Sequence, residues 1–163
     1  MAYRIRRADR TDASFLVEMV CEAANWHPDR VRPKVDLMAD PKVMRYASGW
    51  KRPADDGVVA VDDSGEPIGA CWYRVLPRNE PGYGFIASGV PELTLGVRPM
   101  WRAQGVGRAL LEGACDLARA AGHARISLSV ERANFAERLY RSEGFVVAAS
   151  GADADTMVRS LQG

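Results

Sequence analysis

The sequence predicts a mixed α/β (α+β) domain, and three features of the chain lead to that class. Short alternating or continuous apolar runs recur at residues 3–6, 58–61, 68–75, 92–97 and 126–130, each bounded by turn residues. Apolar side chains at helical spacing mark two longer segments, one following Thr11 and one following Gly105. Strands and helices are interleaved in the order β, helices, β, β, β, α, β, α, β, β, with no internal repeat or linker.

From the N-terminus, Tyr3, Arg4, Ile5 and Arg6 alternate apolar and charged, as a half-buried strand does. Thr11 stands at an N-cap position ahead of Phe15, Leu16, Met19, Val20 and Ala23, which share one helical stripe. Residues 25–33 break that stripe with Pro28 and Pro33. A shorter helix is expected from about Val35, and Pro41 opens a third piece through Met44 and Tyr46. Strand character begins at Gly57. Residues 62–67 (Asp-Asp-Ser-Gly-Glu-Pro) are a turn by composition, so the runs at 58–61 and 68–75 read as a β-hairpin. Residues 77–91 form a long glycine-containing loop, of a length that is usually functional or mobile.

Residues 92–97 are the next strand, ended by Pro99. The helix opened by Gly105 carries Val106, Ala109, Leu110, Ala114, Leu117 and Ala121 on one face, and Gly122 is placed to stop it. Residues 126–130 alternate as a strand, 135–143 make a short helix stopped by Gly144, and 145–149 and 156–160 are two final strands around a turn containing Gly151.

Bulk properties narrow the function. A chain of 163 residues suits one domain over 1–163, and 47% hydrophobic residues supply a core. Twenty-two basic and 21 acidic residues leave a net charge of +1, which argues against a nucleic-acid binder but not against a local basic pocket for one phosphorylated ligand. The first ten residues are polar and Arg-rich, unlike a signal peptide, and no run approaches the ~18 apolar residues of a membrane span. Cys21, Cys71 and Cys115 are far apart and odd in number, and His27 and His123 lack metal-ligand spacing. A cytoplasmic protein with reduced thiols, no metal and no membrane partner is expected.

The chemistry concentrates in residues 97–111, where a strand, a polar turn and two glycines lead into a well-formed helix. First-turn amides of a helix lack internal partners and carry the positive end of its dipole, so this turn is a candidate diphosphate cradle, with Arg102 and Arg108 adding charge. The plainer reading is a strand-to-helix connection whose glycines serve packing. A P-loop is a poor match, because Gly107 is followed by Arg108-Ala109 instead of Lys-Ser/Thr. A dinucleotide fingerprint is also poor: residues 98–104 intervene between strand and first glycine, and Leu110 stands where a small residue is needed.

Arg102-Ala103-Gln104-Gly105-Val106-Gly107 resembles the Gln/Arg-x-x-Gly-x-Gly/Ala motif of GNAT acetyltransferases. Residues 134–145, Asn-Phe-Ala-Glu-Arg-Leu-Tyr-Arg-Ser-Glu-Gly-Phe, resemble the same family's Asn-x-Ala-x-x-Leu-Tyr-x-x-x-Gly-Phe helix. Both motifs, in order and on the expected elements, cover residues 92–145. Phe135 departs from the proline that many relatives carry, and Ala133 stands at an alternative position for the family's asparagine.

The resemblance implies a mostly antiparallel sheet of about six to seven strands, flanked by about four helices and splayed between the fourth and fifth strands. It also implies acetyl-CoA as donor, with CoA as product, and an amine acceptor on a small molecule or protein. Leu95, Gly96 and Val97 would hold the pantetheine arm. The turn of Arg102, Ala103, Gln104, Gly105, Val106, Gly107 and Arg108 would take the pyrophosphate, and Asn134 would contact the cofactor or simply cap its helix. Tyr140 would protonate the leaving thiolate, since a phenol of pKa near ~10 stays protonated at neutral pH. Glu92 is the candidate base, against the alternatives of a solvated strand-end charge, of Glu80, or of water acting with proximity alone. The acceptor would lie among Trp26, Met44, Tyr46, Trp50, Trp72, Tyr73, Tyr83 and Phe85, of which half or more are expected in the core; an aromatic site suits a flat, apolar or cationic acceptor. Asp55, Asp56, Asp62 and Asp63 are expected to be solvated. Family members are often dimers, which makes a homodimer an expectation with no identified surface. A non-catalytic acyl-CoA sensor and a nucleotide-binding interaction module are the alternatives.

Overall fold

Seven strands form one open sheet in this protein, described for residues 2–162 by a computed structural model. They are β1 (Tyr3–Arg7), β2 (Asp56–Asp62), β3 (Pro67–Arg74), β4 (Glu92–Val97), β5 (Arg125–Glu131), β6 (Val146–Ser150) and β7 (Ala154–Ser160). Their order across the sheet is β1-β2-β3-β4-β5-β7-β6, antiparallel everywhere except between β4 and β5. The helices are α1 (Ala13–Ala24), α2 (Lys34–Met38), α3 (Pro41–Met44), α4 (Val106–Ala120) and α5 (Ala136–Ser142).

Period-two alternation sends the side chains of β2 and β3 to two separate cores. Val58 and Ala60 of β2, with Cys71 and Tyr73 of β3, pack under Leu110, Leu111 and Ala114 of α4. Val59, Val61, Ala70 and Trp72 face the other way, against Phe15, Leu16 and Met19 of α1 and Leu37 of α2. Trp72 and Tyr73, adjacent in sequence, are thus buried in different cores. Burying an aromatic side chain of this size removes ~150–250 Å² from water, so both rings belong to the scaffold.

Two sequence expectations change on folding. Thr11 is no cap: Asp9 accepts the Thr11 amide at 2.8 Å, and Asp12 accepts the Asp9 amide at 2.8 Å. This reciprocal box closes a 3₁₀ turn at Arg10–Asp12 from which α1 continues, because a carboxylate is a stronger acceptor than a hydroxyl and Arg6 fixes Asp12 at 2.8 Å. Asp55 and Asp56 are buried rather than solvated. Asp55 holds Arg74 through two bonds of 3.0 and 2.7 Å, with Arg74 only 1% exposed, and Asp56 pairs with Arg7 at 2.5 Å.

The parallel contact between β4 and β5 is the feature that positions the site. One register pair, Glu92 with Ser127, joins the two strands. Beyond it they diverge toward their C-terminal ends, so residues 95–97 and 129–131 present backbone edges without a ladder partner across the gap. α4 packs across β2, β3 and β4 on one face of this fork, and α1 crosses β4 on the other.

Candidate active site

At the base of the fork Glu92 is buried, 3% exposed, although it begins a strand. Its Oε2 accepts the Tyr46 hydroxyl at 2.5 Å and the Gly84 amide at 3.0 Å, and the Tyr46 oxygen in turn accepts the Tyr83 amide at 2.7 Å. Residues 82–84 of the long loop therefore lie directly over the carboxyl. The close approach depends on missing side chains: a Cβ on Gly82 would sit 2.2 Å from Glu92 Oε1, and one on Gly84 would sit 2.5 Å from the Leu128 carbonyl carbon. Burial raises the Glu92 pKa from 4.5 to about 6, while the bonds from Tyr46 and Gly84 hold it back. Glu92 Oε1 and the Oγ of its cross-strand neighbour Ser127 are both buried without a hydrogen-bond partner among the described residues. Two such orphans on one face are the usual signature of a bridging water.

At the mouth of the fork the groups are backbone groups. None of the amides of residues 103–108 has a hydrogen-bond partner among the described residues; the first satisfied one is Ala109, bonded to the Gly105 carbonyl at 3.1 Å. Gly105 precedes α4 at φ 83°, and Ala103 also lies in the left-handed region at φ 60°. That conformation costs a non-glycine residue roughly 1–2 kcal/mol, and it turns successive amides outward together as an anion nest does. Arg102 and Arg108 flank the nest, but each is already engaged, Arg102 with Glu22 at 3.1 Å and Arg108 with Glu143. Gln104 turns back to donate to the Met100 carbonyl at 3.0 Å, and Val106 is packed in the core.

The surroundings of Gly107 are apolar. A Cβ there would lie 3.4 Å from Leu139 Cδ2, 3.9 Å from Leu95 Cδ2 and 4.0 Å from Val97 Cγ2, so the absent side chain leaves a methyl-sized space between β4 and α5. Gly96 lets another backbone come close. Its missing side chain admits α1, whose Met19 carbonyl oxygen would lie 2.7 Å from a Cβ there. On the α5 side, Asn134 Oδ1 accepts the Ala136 amide at 3.0 Å and closes the turn that leads into the helix, beside a cavity of about 270 Å³ that it shares with Ala133, Phe135, Glu137 and Arg138. Tyr140 is buried against Phe145, ring centroids 5.9 Å apart, and burial pushes its phenol above the usual value. Its hydroxyl makes no hydrogen bond among the described residues.

Of the aromatic side chains expected around an acceptor, Trp50, Trp72 and Tyr73 are core, and Tyr46 is buried but bonded to Glu92. Tyr83, 60% exposed and stacked on Tyr46 at 6.5 Å, Phe85 and Trp26 remain accessible, and Glu80 lies exposed in the loop. Sequence reasoning misses Ser127, Gly82 and Gly84 as parts of the site. No local motif marks them, although a glycine-x-glycine before a strand that opens with a carboxylate is a usable signal.

An open sheet forked at one parallel pair, with an amide nest at the mouth and a buried carboxyl at the base, is the architecture of an acyl-transfer family. The chain belongs to that family: a sequence model of the Acetyltransferase (GNAT) family matches residues 18–145. It is 31% identical over 137 residues to a mycothiol acetyltransferase from Jonesia denitrificans, a match spanning 83% of this chain and 40% of that protein. The chain thus spans under half the length of this relative. Its fold superposes on PaiA N-acetyltransferase from Thermoplasma acidophilum in complex with coenzyme A, with a TM-score of 0.69 at 20% identity, covering 98% of this chain and 99% of that one. It also superposes on a GNAT superfamily phosphinothricin acetyltransferase from Sinorhizobium meliloti in complex with AcCoA, with a TM-score of 0.65 at 20% identity, covering 98% and 89%.

Proposed function

We propose that the protein is a single acetyltransferase domain that moves the acetyl group of acetyl-CoA to a primary amine by direct attack in a ternary complex. The observation that carries this reading is Glu92, a buried carboxyl raised to about 6 at the base of an open fork. A non-catalytic acyl-CoA sensor would need the nest and the free strand edge but has no use for a base held at the cost of burial. Family membership and the coenzyme A and AcCoA complexes of structural neighbours support the choice of cofactor.

The residues fit such a ligand. The unpartnered amides of residues 103–108 and the dipole of α4 suit a diphosphate, with Arg102 and Arg108 at its flanks. The apolar surroundings of Gly107, with Leu95, Val97 and Leu139, suit an extended chain whose amides would pair with the free edge of residues 95–97. Asn134, just before α5, would contact the same ligand with its side-chain amide while Oδ1 keeps its bond to the Ala136 N–H. Bound acetyl-CoA supplies an activated thioester.

The acceptor reaches the fork as an ammonium and becomes nucleophilic only after losing a proton. Glu92 takes that proton through a water shared by Oε1 and the Ser127 hydroxyl, and a base of pKa about 6 is ionised at neutral pH yet still accepts. Tyr140 donates to the departing sulfur, its raised pKa keeping the proton on the phenol until then. The loop at 82–84 keeps bulk water from the carboxyl.

Thermal unfolding with and without acetyl-CoA tests the reading, with ATP and NAD as controls. A ligand at ~100 times its dissociation constant adds about 2.7 kcal/mol, which raises the midpoint by about 5–10 °C for a chain of this size. A rise with acetyl-CoA alone, followed by thiol release on adding amines, is the expected result. No rise at saturation removes both the enzyme and the sensor readings, and a rise with ATP or NAD assigns the nest to another phosphate.

A further inference from the structure

Trp26 stands just beyond the end of α1, and its indole N–H donates to Oε2 of Glu131, the last residue of β5, at 3.1 Å. The Arg30 guanidinium bonds the same oxygen at 3.5 Å, and its central carbon lies 5.9 Å from the centre of the Trp26 ring. A ring face and a carboxylate therefore converge on one cation, a geometry that selects cationic groups. Here the cation belongs to the chain itself.

The position of this cluster gives it meaning. Ser127, Ser129 and Glu131 alternate onto one face of β5. On that face Ser127 neighbours Glu92, Gly84 overlies residues 128–129, and α1 crosses β4 with Met19 against Gly96. The Trp26–Glu131 bond thus spans from the α1 side to the tip of β5, over the part of the fork where the strands no longer pair. Four residues at ~3.3 Å each put Glu131 roughly 13 Å along the strand from the Glu92 level. One bridging water and a short aliphatic tether fill that span.

We propose that Trp26 and Glu131 form a tail subsite for a small amine acceptor that carries a second cationic group, and that Arg30 is the chain's own stand-in for that group. This rests on the acetyltransferase reading for the identity of the fork. Arg30 is 59% and Glu131 43% exposed at the side chain, and an exposed pair of this kind is held weakly, so an incoming ammonium or guanidinium displaces it. A neutral tail leaves the Arg30 contact in place and gains nothing from Glu131, and an anionic tail is repelled by it. The preference comes as much from rejection as from attraction.

Binding is measured first, because it does not depend on turnover. Agmatine, n-pentylamine and 5-aminopentanoate are titrated calorimetrically into the protein saturated with CoA. Agmatine is expected to bind at least ten-fold more tightly than pentylamine, with the carboxylate weakest. Glu131→Gln is expected to collapse the agmatine-to-pentylamine ratio toward one. Arg30→Ala is expected to tighten agmatine several-fold, a gain that misfolding cannot mimic. Equal binding of the three amines, an unchanged ratio in Glu131→Gln, or weaker agmatine binding in Arg30→Ala overturns the subsite. Binding of an Arg-Lys peptide but not of agmatine overturns its small-molecule form. Acetyl transfer to the same amines is then followed by thiol release. Selective binding without transfer removes the enzyme reading and leaves the cation site standing, whereas transfer without selectivity does the reverse.

Discussion

At the mouth of the fork the free polar groups are backbone amides from one continuous stretch, residues 103–108, oriented by the left-handed Gly105 and Ala103. At its base the groups come from separated segments: the Tyr46 hydroxyl beyond α3, the Gly84 amide and the bare backbone of Gly82 in the long loop, the Glu92 carboxyl on β4 and the Ser127 hydroxyl on β5. The mouth gets its chemistry from φ and ψ alone and sits in solvent. The base gets its chemistry from burial, since a carboxyl with ordinary exposure would not titrate near 6. Disturbing the mouth should therefore alter affinity, and disturbing the base should alter rate and pH dependence.

Glu92→Gln gives the largest expected effect. Loss of a general base typically costs ~10²–10⁴ in rate, so kcat at pH 8 should fall in that range. The wild-type rate should rise with pH through about 6 as Glu92 loses its proton, and the variant should lack that limb. The same group leaves a mark on stability. Its folded pKa lies above the unfolded 4.5, so the native state binds the proton more tightly, and this contribution is lost as pH rises from 4.5 through 6. The size is about 2 kcal/mol at ~1.4 kcal/mol per pKa unit. Unfolding midpoints across that window should decline in the wild type relative to Glu92→Gln, and parallel curves would show that the carboxyl is not buried in solution.

Tyr140→Phe keeps the ring against Phe145 and removes only the hydroxyl. A loss of about 10²-fold in kcat, with the thermal midpoint nearly unchanged, is expected of a proton donor. Full turnover would leave Tyr140 a packing residue. Gly105→Ala addresses the mouth. A Cβ there meets nothing closer than the Tyr3 hydroxyl at 3.9 Å, so its cost is the left-handed backbone, roughly 1–2 kcal/mol. Weaker CoA binding by about ten-fold, with kcat preserved at saturation, would separate the two ends of the fork; a fall in kcat instead would join them.

The smallest effect is expected from Tyr46→Phe. Its hydroxyl donates to Glu92 and lowers that pKa, so its removal should move the acidic limb upward without abolishing it. A limb that stays in place would show that the Tyr46 bond is not maintained during turnover.

The same division explains what is legible in the sequence. The bounds of β4, the glycine entry to α4 and the stop at Gly122, which has φ 92°, can be read locally because they depend on period and backbone preference over a few residues. Glu92 can be read as a candidate base because it opens the fourth strand, where the family resemblance implies a glutamate. Its burial cannot, because the groups that bury it come from other segments. The same holds for Asp55 and Asp56, whose turn-like surroundings suggest solvent until Arg74 and Arg7 close on them. Gly96 shows the converse limit: the sequence indicates that something comes close, and only the packing of α1 identifies what.

By itself the sequence determined the interleaved α/β order, the two family motifs and the nest, each a consequence of local torsional preference and side-chain periodicity. Tertiary structure alone decided where β4 and β5 part, which carboxyl loses its water and which loop covers it, and that Trp26 meets Glu131 across the gap. Those outcomes depend on desolvation and on contacts between residues far apart in the chain, and neither exists until the sheet has closed its cores.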